Sequence, residues 1–230
     1  MNALDYPNAQ EATTLWFHDH LLGSTRTNVY AGLAAFYFLR DQYDTGVAGT
    51  GLNLPAGDQE IEVVIQDRQF DTNGQLFFPD GTPPGAGLNG DPPNPTVHPF
   101  WIPEFFGNVI TVNGESWPFI QVEPRAYRIR LLNGSNARFY ELSLGRNAPP
   151  FWIIGTDGGY LNAPVPVTYP NRLLIAPGER YEVIIDFTGL TGSIFTVTNT
   201  AKAPYPKGAA PDPQTVGQIM QFAVGAAPAV

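Results

Sequence analysis

The most informative absence in this 230-residue chain is cysteine, which does not occur at all. The chain therefore has no disulfide bonds, no thiolate metal ligands and no cysteine nucleophile. Positive charge is also scarce, because 12 lysine and arginine residues stand against 21 acidic residues and give a net charge of −9. Binding to nucleic acid requires a basic face that neutralises phosphates, so the composition argues against that class of partner.

Long apolar runs are missing as well. No apolar stretch reaches the roughly 18 residues that a membrane-spanning helix needs, so no membrane span is predicted. Residues Met1–Ala12 lack a basic segment followed by an apolar one, and we therefore expect no signal peptide there. The compartment stays open, because a secreted protein need not contain disulfide bonds.

Turn-forming residues are abundant, with 24 glycines and 23 prolines. Such frequent punctuation favours many short strands joined by turns, and it predicts an all-β sandwich or barrel with one short helical turn at Leu21–Val29. The basic and apolar residues of one strand alternate, which predicts that this strand, Tyr127–Leu132, is half-buried. The other strands are predicted at Thr13–His20, Gly32–Arg40, Ile61–Asp67, Val109–Val112, Phe139–Leu144, Phe151–Gly155, Arg172–Ile175, Tyr181–Phe187, Ile194–Asn199 and Gln218–Val224.

Composition also suggests where the domains divide. The polar, glycine-containing segment Asp41–Gly57 is typical of a connection between domains. We predict that residues 1–41 are part of a first domain and residues 42–58 a linker. Residues 59–225 then form a second, complete domain, and residues 226–230 are a tail.

The chain has three histidines, and two of them are close together. His18 and His20 flank Asp19 in a segment predicted to be extended, and side chains two residues apart on a strand point to the same face. Imidazole is a suitable ligand for copper, zinc, iron and nickel. The spacing alone fits a metal site, but it also fits a chance pair in a strand.

The residues around this pair carry a family resemblance. Thr14–His20 (TLWFHDH) resembles the second histidine motif of the multicopper oxidases, in the branch that includes bacterial spore-coat laccase and bilirubin oxidase. The resemblance implies cupredoxin-like Greek-key sandwiches: the end of a first cupredoxin domain followed by a complete second one. It continues in order through TRTNVYAGL, IQDRQF, NVITVNGESWP, VEPRAYRIRLLNGSN, GTDGGYL, APGERYEVIIDF and IMQF.

The resemblance implies roles for the motif. His18 and His20 would bind the two different coppers of a binuclear type 3 pair, through the ring nitrogens distal to the backbone. That pair belongs to a trinuclear cluster that reduces dioxygen to water with electrons from a blue copper. Asp19 would orient a neighbour of the site or form a salt bridge, and Arg26 and Asn28 would support the site or pack a short helix.

Other polar residues in the matching segments are given no catalytic role. His98 lies in VHPFW, which resembles the start of the family's third-domain motif, but Trp101 and Pro103 stand where further histidines would be. We therefore predict that His98 is a loop histidine. Four charged residues are predicted to form turns and ion pairs: Asp157, Glu179, Arg180 and Asp186.

Several parts of the family's metal sites are missing from this chain. A blue-copper site needs a cysteine with two histidines, and the family's trinuclear cluster takes four H-x-H motifs, of which this chain has one. We expect an internal fragment, inactive alone, whose partners are the missing first- and third-domain segments of the same enzyme. The parent would use dioxygen and a small reducing substrate, and a homo-oligomer is compatible with the sequence. Residues 13–40 would lack most of their sheet, which predicts poor order or pairing with another chain.

Two other functions fit parts of the sequence. A copper-free cupredoxin acting as a scaffold or interaction protein would have the same fold, but such a protein would be free to lose His18 and His20. A two-domain copper nitrite reductase requires a cysteine-containing blue site, which excludes a complete one here.

Overall fold

The computed structural model describes residues 5–78 and 104–226, with 43% of the chain in strands and 5% in helix. The chain begins with strand β1 (Thr13–His18), which pairs antiparallel with β2 (Ala34–Leu39), and helix α1 (Thr25–Ala31) connects them. Among the described residues these two strands form a sheet of their own. Residues 13–39 are called the N-terminal hairpin below.

The end of α1 shows how the hairpin turns back on itself. Gly32 follows the helix with a φ of 112°, a left-handed conformation that glycine adopts without steric cost. The backbone N–H groups of Gly32 and Leu33 donate to the carbonyls of Val29 and Asn28, and the chain then enters β2. The strand predicted at Thr13–His20 ends at His18, because the Asp19 side chain accepts the N–H of Leu21 and turns the chain toward the helix.

The remaining strands form two larger sheets. The seven-stranded sheet has the order β10-β9-β12-β7-β3-β4-β5, and the five-stranded sheet has the order β11-β8-β13-β14-β6. The strands are β3 (Glu60–Arg68), β4 (Val109–Val112), β5 (Glu115–Ser116), β6 (Phe119–Val122), β7 (Ala126–Asn133), β8 (Tyr140–Ser143), β9 (Phe151–Thr156), β10 (Gly159–Val167), β11 (Leu173–Ile175), β12 (Arg180–Asp186), β13 (Ile194–Asn199) and β14 (Gln218–Val224).

Side chains from both larger sheets meet in one apolar core. Ile129 and Val183 come from the seven-stranded sheet, and Leu142, Val197 and Phe222 come from the five-stranded sheet. The strands alternate between core-facing and outward-facing residues, which is the pattern of two sheets packed face to face. The predicted all-β sandwich is confirmed. Residues 79–103, which include the predicted loop around His98, lie outside the described residues.

One strand differs from its prediction. β7 is buried along nearly its whole length, and Arg128 and Arg130 have no exposed surface. The prediction of a half-buried strand was therefore wrong. Ile129 and Leu131 face the apolar core, as expected, but the N-terminal hairpin and the segment after it cover the arginine face. No helix in the described part of the chain is long and apolar enough to cross a membrane.

Candidate metal centre

The structure brings the two predicted ligands together on one side of the chain. His18 is the last residue of β1 and His20 follows two residues later. Their ring centroids are 5.7 Å apart and the ring planes are inclined by 26°, so the rings stack. His18 is half-buried and His20 is exposed. The pair therefore lies at the surface end of the hairpin, where ligands from another segment can reach it.

The orientation of the His18 ring follows from one hydrogen bond. Its Nδ1 lies 2.7 Å from the carbonyl oxygen of Asp19. A carbonyl oxygen only accepts hydrogen bonds, so Nδ1 carries the proton and the neutral ring has an unprotonated Nε2. Metal-binding histidines are commonly oriented by such a bond from the other ring nitrogen. The distal nitrogen of His18 is thus the one available to a metal.

The Asp19 carboxylate shapes the turn beside the histidines. Its Oδ2 accepts a hydrogen bond from Nδ2 of Asn28 at 2.9 Å and another from the N–H of Leu21 at 3.2 Å. Among the described residues Asp19 forms no salt bridge. Asn28 therefore fixes the loop that contains His20, while the guanidinium of Arg26 lies 5.1 Å from the ring centroid of Phe78 and packs the helix.

The two imidazoles are an incomplete ligand set by themselves. In residues 5–78 and 104–226, no group of three or more histidine, cysteine, aspartate or glutamate side chains could hold a metal ion. An open groove of about 650 Å³ lies beside His18, and Tyr6, Leu15, Phe17 and Tyr37 line it. Imidazole nitrogen fits the ligand preference of copper, and the free Nε2 of His18 fits the donor geometry.

A buried ionic cluster anchors the hairpin to the sandwich. We call it the junction, and its members come from β1, from residues 40–44 after β2, and from β3, β7, β10 and β12. Thr14 on β1 donates its hydroxyl to Glu182 on β12 at 2.6 Å, and Arg130 donates to the same glutamate oxygen at 2.9 Å. The junction consists of Thr14, Arg40, Asp44, Glu60, Arg128, Arg130, Tyr160 and Glu182.

The charges in the junction balance, with three arginines and three carboxylates. Asp44 accepts two hydrogen bonds from Arg128, at 2.9 and 2.7 Å, and a third from Arg40 at 2.8 Å. Arg130 donates to Glu60 at 2.5 Å, and its guanidinium also lies 4.3 Å from the ring centroid of Phe38 on β2. Buried charges are stable only when they are paired and hydrogen-bonded, and here each has several partners.

The junction perturbs the acidity of its members. Burial would raise the pKa of Asp44, but hydrogen bonds from Arg128 and Tyr160, together with the positive charge of Arg128, hold that pKa well below its usual range. Burial opposes the same effect at Glu60, where Arg40 and Arg130 lower the pKa. Burial and the nearby charge of Glu182 raise the pKa of Tyr160. Asp44 and Glu60 therefore stay ionised, and Tyr160 stays protonated, at neutral pH.

Sequence reasoning missed the junction, although a signal for it exists. Glu60 pairs with Arg128 in the β3–β7 register, and Glu182 pairs with Arg130 in the β7–β12 register. Opposite charges thus occupy one face of three neighbouring strands. The charged residues that were predicted to form turns and ion pairs do so: Arg180 pairs with Asp157 at 3.1 Å, Glu179 accepts the N–H of Ala176, and Asp186 accepts the N–H of Thr188.

Comparison with known proteins agrees with the fold and with the resemblance in sequence. No protein-family model matches the chain. The chain is 43% identical over 220 residues to a laccase from Bacillus stratosphericus, covering 96% of this chain and 40% of the laccase. It is 40% identical over 225 residues to the rice protein named multicopper oxidase LPR1 homolog 1, covering 97% of this chain and 35% of that protein.

Solved structures give the same result. The 2F4 variant of the multicopper oxidase McoA from Aquifex aeolicus superimposes with a TM-score of 0.72 at 32% identity, covering 94% of this chain and 42% of that one. The chain is therefore a cupredoxin-fold protein homologous to the multicopper oxidases over nearly its whole length. It spans about two fifths of the length of the relatives it matches.

Proposed function

We propose that this chain is a region of a copper-dependent oxidase and that His18 and His20 each bind one copper of a type 3 pair. The stacked arrangement of the two rings, with Nε2 of His18 left unprotonated, is the observation that carries the proposal. The homology to laccases and multicopper oxidases supports the choice of copper over the other metals that imidazole binds.

The assignment of one ion to each ring follows the resemblance to the multicopper oxidases, in which the two histidines of this motif bind different coppers. An imidazole lone pair lies in the plane of its ring, and a metal binds about 2.0–2.1 Å from the nitrogen. The ring centroids are 5.7 Å apart and the planes are inclined by 26°, a spacing that is compatible with a separate ion on each ring.

The remaining ligands would come from other parts of a longer parent enzyme. The relatives named above are more than twice as long as this chain, and the described residues hold no third ligand beside the pair. Bound copper would supply one-electron redox chemistry, which allows the parent to couple oxidation of a small substrate, phenols or similar, to reduction of dioxygen to water. In the parent, this chain fixes two ligands and supports them with the sandwich. Alone, it would be inactive and bind copper weakly.

Copper titration of the 230-residue chain tests the ligand assignment. We expect weak Cu(II) binding whose electron paramagnetic resonance spectrum shows imidazole nitrogen, and we expect His18→Ala and His20→Ala each to weaken that binding. His98→Ala is the matched control because it removes the remaining histidine of the chain. If only His98→Ala reduced binding, the assignment would be wrong.

A chimera tests the function of the parent. Residues 5–226 would replace the homologous region of the Bacillus stratosphericus laccase, which is 43% identical. We expect the purified chimera to contain a trinuclear copper cluster and to consume oxygen with a phenol. His18→Ala in the chimera should lower the copper content and abolish oxygen consumption. The contradicting outcome is a folded chimera that has a normal blue copper and whose copper content is unchanged by His18→Ala. That outcome would support a copper-free role for this region.

A further inference from the structure

Trp16 lies between the sandwich and the His18 ring. Residues two apart on a strand share a face, so Thr14, Trp16 and His18 follow one another along one side of β1, and His20 comes two residues after the strand ends. The indole and the His18 imidazole have centroids 4.5 Å apart and planes inclined by 32°. His20 stacks on His18 as well. The His18 ring therefore lies against two other rings, those of Trp16 and His20.

The indole of Trp16 packs against the sandwich at the turn between β11 and β12. A methyl group added to Gly178 would lie 3.4 Å from Cζ2 of Trp16, so the edge of the indole faces this glycine across the space of about one methyl group. Gly178 has a φ of +81° and its N–H donates to the carbonyl of Asn133. Arg180 donates to the carbonyl of Gly178 at 3.0 Å and to the carbonyl of Thr14 at 3.1 Å. One guanidinium thus ties the turn to β1 directly beside Trp16.

We propose that Trp16 is a positioning residue, which transmits the fixed position of the Gly178 turn to the His18 ring and holds Nδ1 against the Asp19 carbonyl. A half-turn of the ring about Cβ–Cγ would place a C–H group against that carbonyl and break the 2.7 Å hydrogen bond. Tilting the ring plane away from the indole would also take Nδ1 out of line with the carbonyl. The stacked indole disfavours those tilted orientations, which become populated when it is removed. The use of the oriented ring for copper rests on the proposed function, but the orientation belongs to the metal-free chain and can be measured without metal.

The tautomer of His18 reports the orientation directly. Long-range ¹H–¹⁵N spectra of the metal-free chain would be recorded near pH 8.5, about two units above the ordinary pKa of a histidine side chain. We expect the Nδ1–H form to dominate in the unaltered chain. Trp16→Met, which fills the gap with a flexible side chain, should increase the Nε2–H form relative to Nδ1–H by about two- to ten-fold, the range that an aromatic pair contributes.

Two matched variants separate orientation from general packing. Trp16→Phe keeps an aromatic plane and should retain the Nδ1–H preference. Phe17→Leu changes the neighbouring residue, which is 58% exposed, and should leave the His18 spectrum unchanged. Amide hydrogen exchange across β1 and β2 would be measured in each variant. A Trp16→Met chain with protected hairpin amides and an unchanged tautomer ratio would overturn the proposal.

A measurement on the unaltered chain keeps the proposal falsifiable if every Trp16 variant unfolds the hairpin. Nuclear Overhauser contacts are expected between the indole protons of Trp16 and the ring protons of His18. Their absence, or a dominant Nε2–H form in the unaltered chain, would refute the proposal. These results do not depend on copper. Failure of copper binding would contradict the proposed function but would leave the role of Trp16 unaffected.

Discussion

The sandwich and the N-terminal hairpin are stabilised by different interactions. The two larger sheets of the sandwich share an apolar core that includes Phe187 and Phe222, each at most 1% exposed. The hairpin buries few large apolar side chains, and Phe17, Leu22 and Leu33 are more than half exposed. It is attached through the junction, where Thr14 and three buried carboxylates meet three arginines.

The difference bears on the histidine pair. Apolar burial is non-directional, whereas hydrogen-bonded charge pairs fix both the register and the orientation of a strand. Arg130, for example, can donate to Thr14, Glu60 and Glu182 together only when β1 lies at one position along β12. We infer that the junction fixes the position of β1 and therefore of the histidine pair at its end.

The largest effect is expected in the sandwich core. Phe187→Ala removes a side chain that is fully buried and contacts the rings of Tyr127, Phe195 and Phe222. We expect the free energy of unfolding to fall by about 3–5 kcal/mol in urea denaturation. Phe119→Ala, at a position 67% exposed on β6, should cost well under half as much. Equal losses would show that the core does not dominate the stability of the sandwich.

A smaller but still large effect is expected in the junction. Arg130→Met removes one cation and leaves Glu60 and Glu182 with fewer partners, which typically costs about 3 kcal/mol or more at a buried pair. We expect the amides of β1 and β2 to lose hydrogen-exchange protection while those of the sandwich core, such as β12, keep theirs. Uniform loss of protection would mean that the two parts unfold as one unit.

A double variant sharpens that result. Glu182→Leu alone also unbalances the junction, but Arg130→Met with Glu182→Leu leaves two arginines and two carboxylates. The double variant should be less destabilised than the sum of the single variants, because the second change removes a carboxylate that the first left underpaired. Additive losses in a double-mutant cycle would contradict direct coupling of Arg130 and Glu182.

The same contrast explains what the sequence could predict. Strand positions in the sandwich follow from local alternation and turn signals: β4, β13 and β14 have the predicted bounds, and the Asn113-Gly114 turn follows β4 with φ values of 52° and 90°. β10 was not predicted, because Pro164 and Pro166 argue against a strand. It is an edge strand, with one neighbour, β9, where proline is tolerated.

The junction could not be predicted from local patterns, because its members lie far apart in the sequence. Asp44 belongs to the segment predicted as a linker, yet it is 2% exposed and accepts hydrogen bonds from Arg40, Arg128 and Tyr160. The histidine pair could be proposed as a metal site because its signal is local. Asp19 was predicted to orient a neighbour or to form a salt bridge, but its partner Asn28 could not be named, because the two residues become neighbours only after the chain turns.

The next largest effect is expected from acid, which should weaken the junction. The pKa values of Asp44 and Glu60 are lowered by folding from ordinary values of 3.8 and 4.5, so the unfolded chain binds protons first as the pH falls. Their contribution to stability is complete above about pH 5 and is lost as the pH falls toward the folded-state values, by an amount on the order of 2 kcal/mol. Urea denaturation between pH 6 and pH 3, in roughly half-unit steps, measures this slope. Asp44→Asn should flatten it, whereas Asp58→Asn, at an exposed position, should not.

The smallest predicted effect concerns the second attachment of the hairpin, at α1. Tyr30 is 3% exposed; its hydroxyl donates to the carbonyl of Phe77 at 2.6 Å and accepts the N–H of Gln69 at 2.8 Å. Tyr30→Phe keeps the ring and removes the hydrogen bonds of the hydroxyl, which should cost about 1–2 kcal/mol and speed amide exchange in α1. Tyr37→Phe is the matched control, because that hydroxyl bonds only to Asn8 at the surface among the described contacts and should cost less than about 0.5 kcal/mol. If the two substitutions had equal effects, the polar attachment of α1 would contribute nothing specific, and the junction under β1 would be what holds the hairpin to the sandwich.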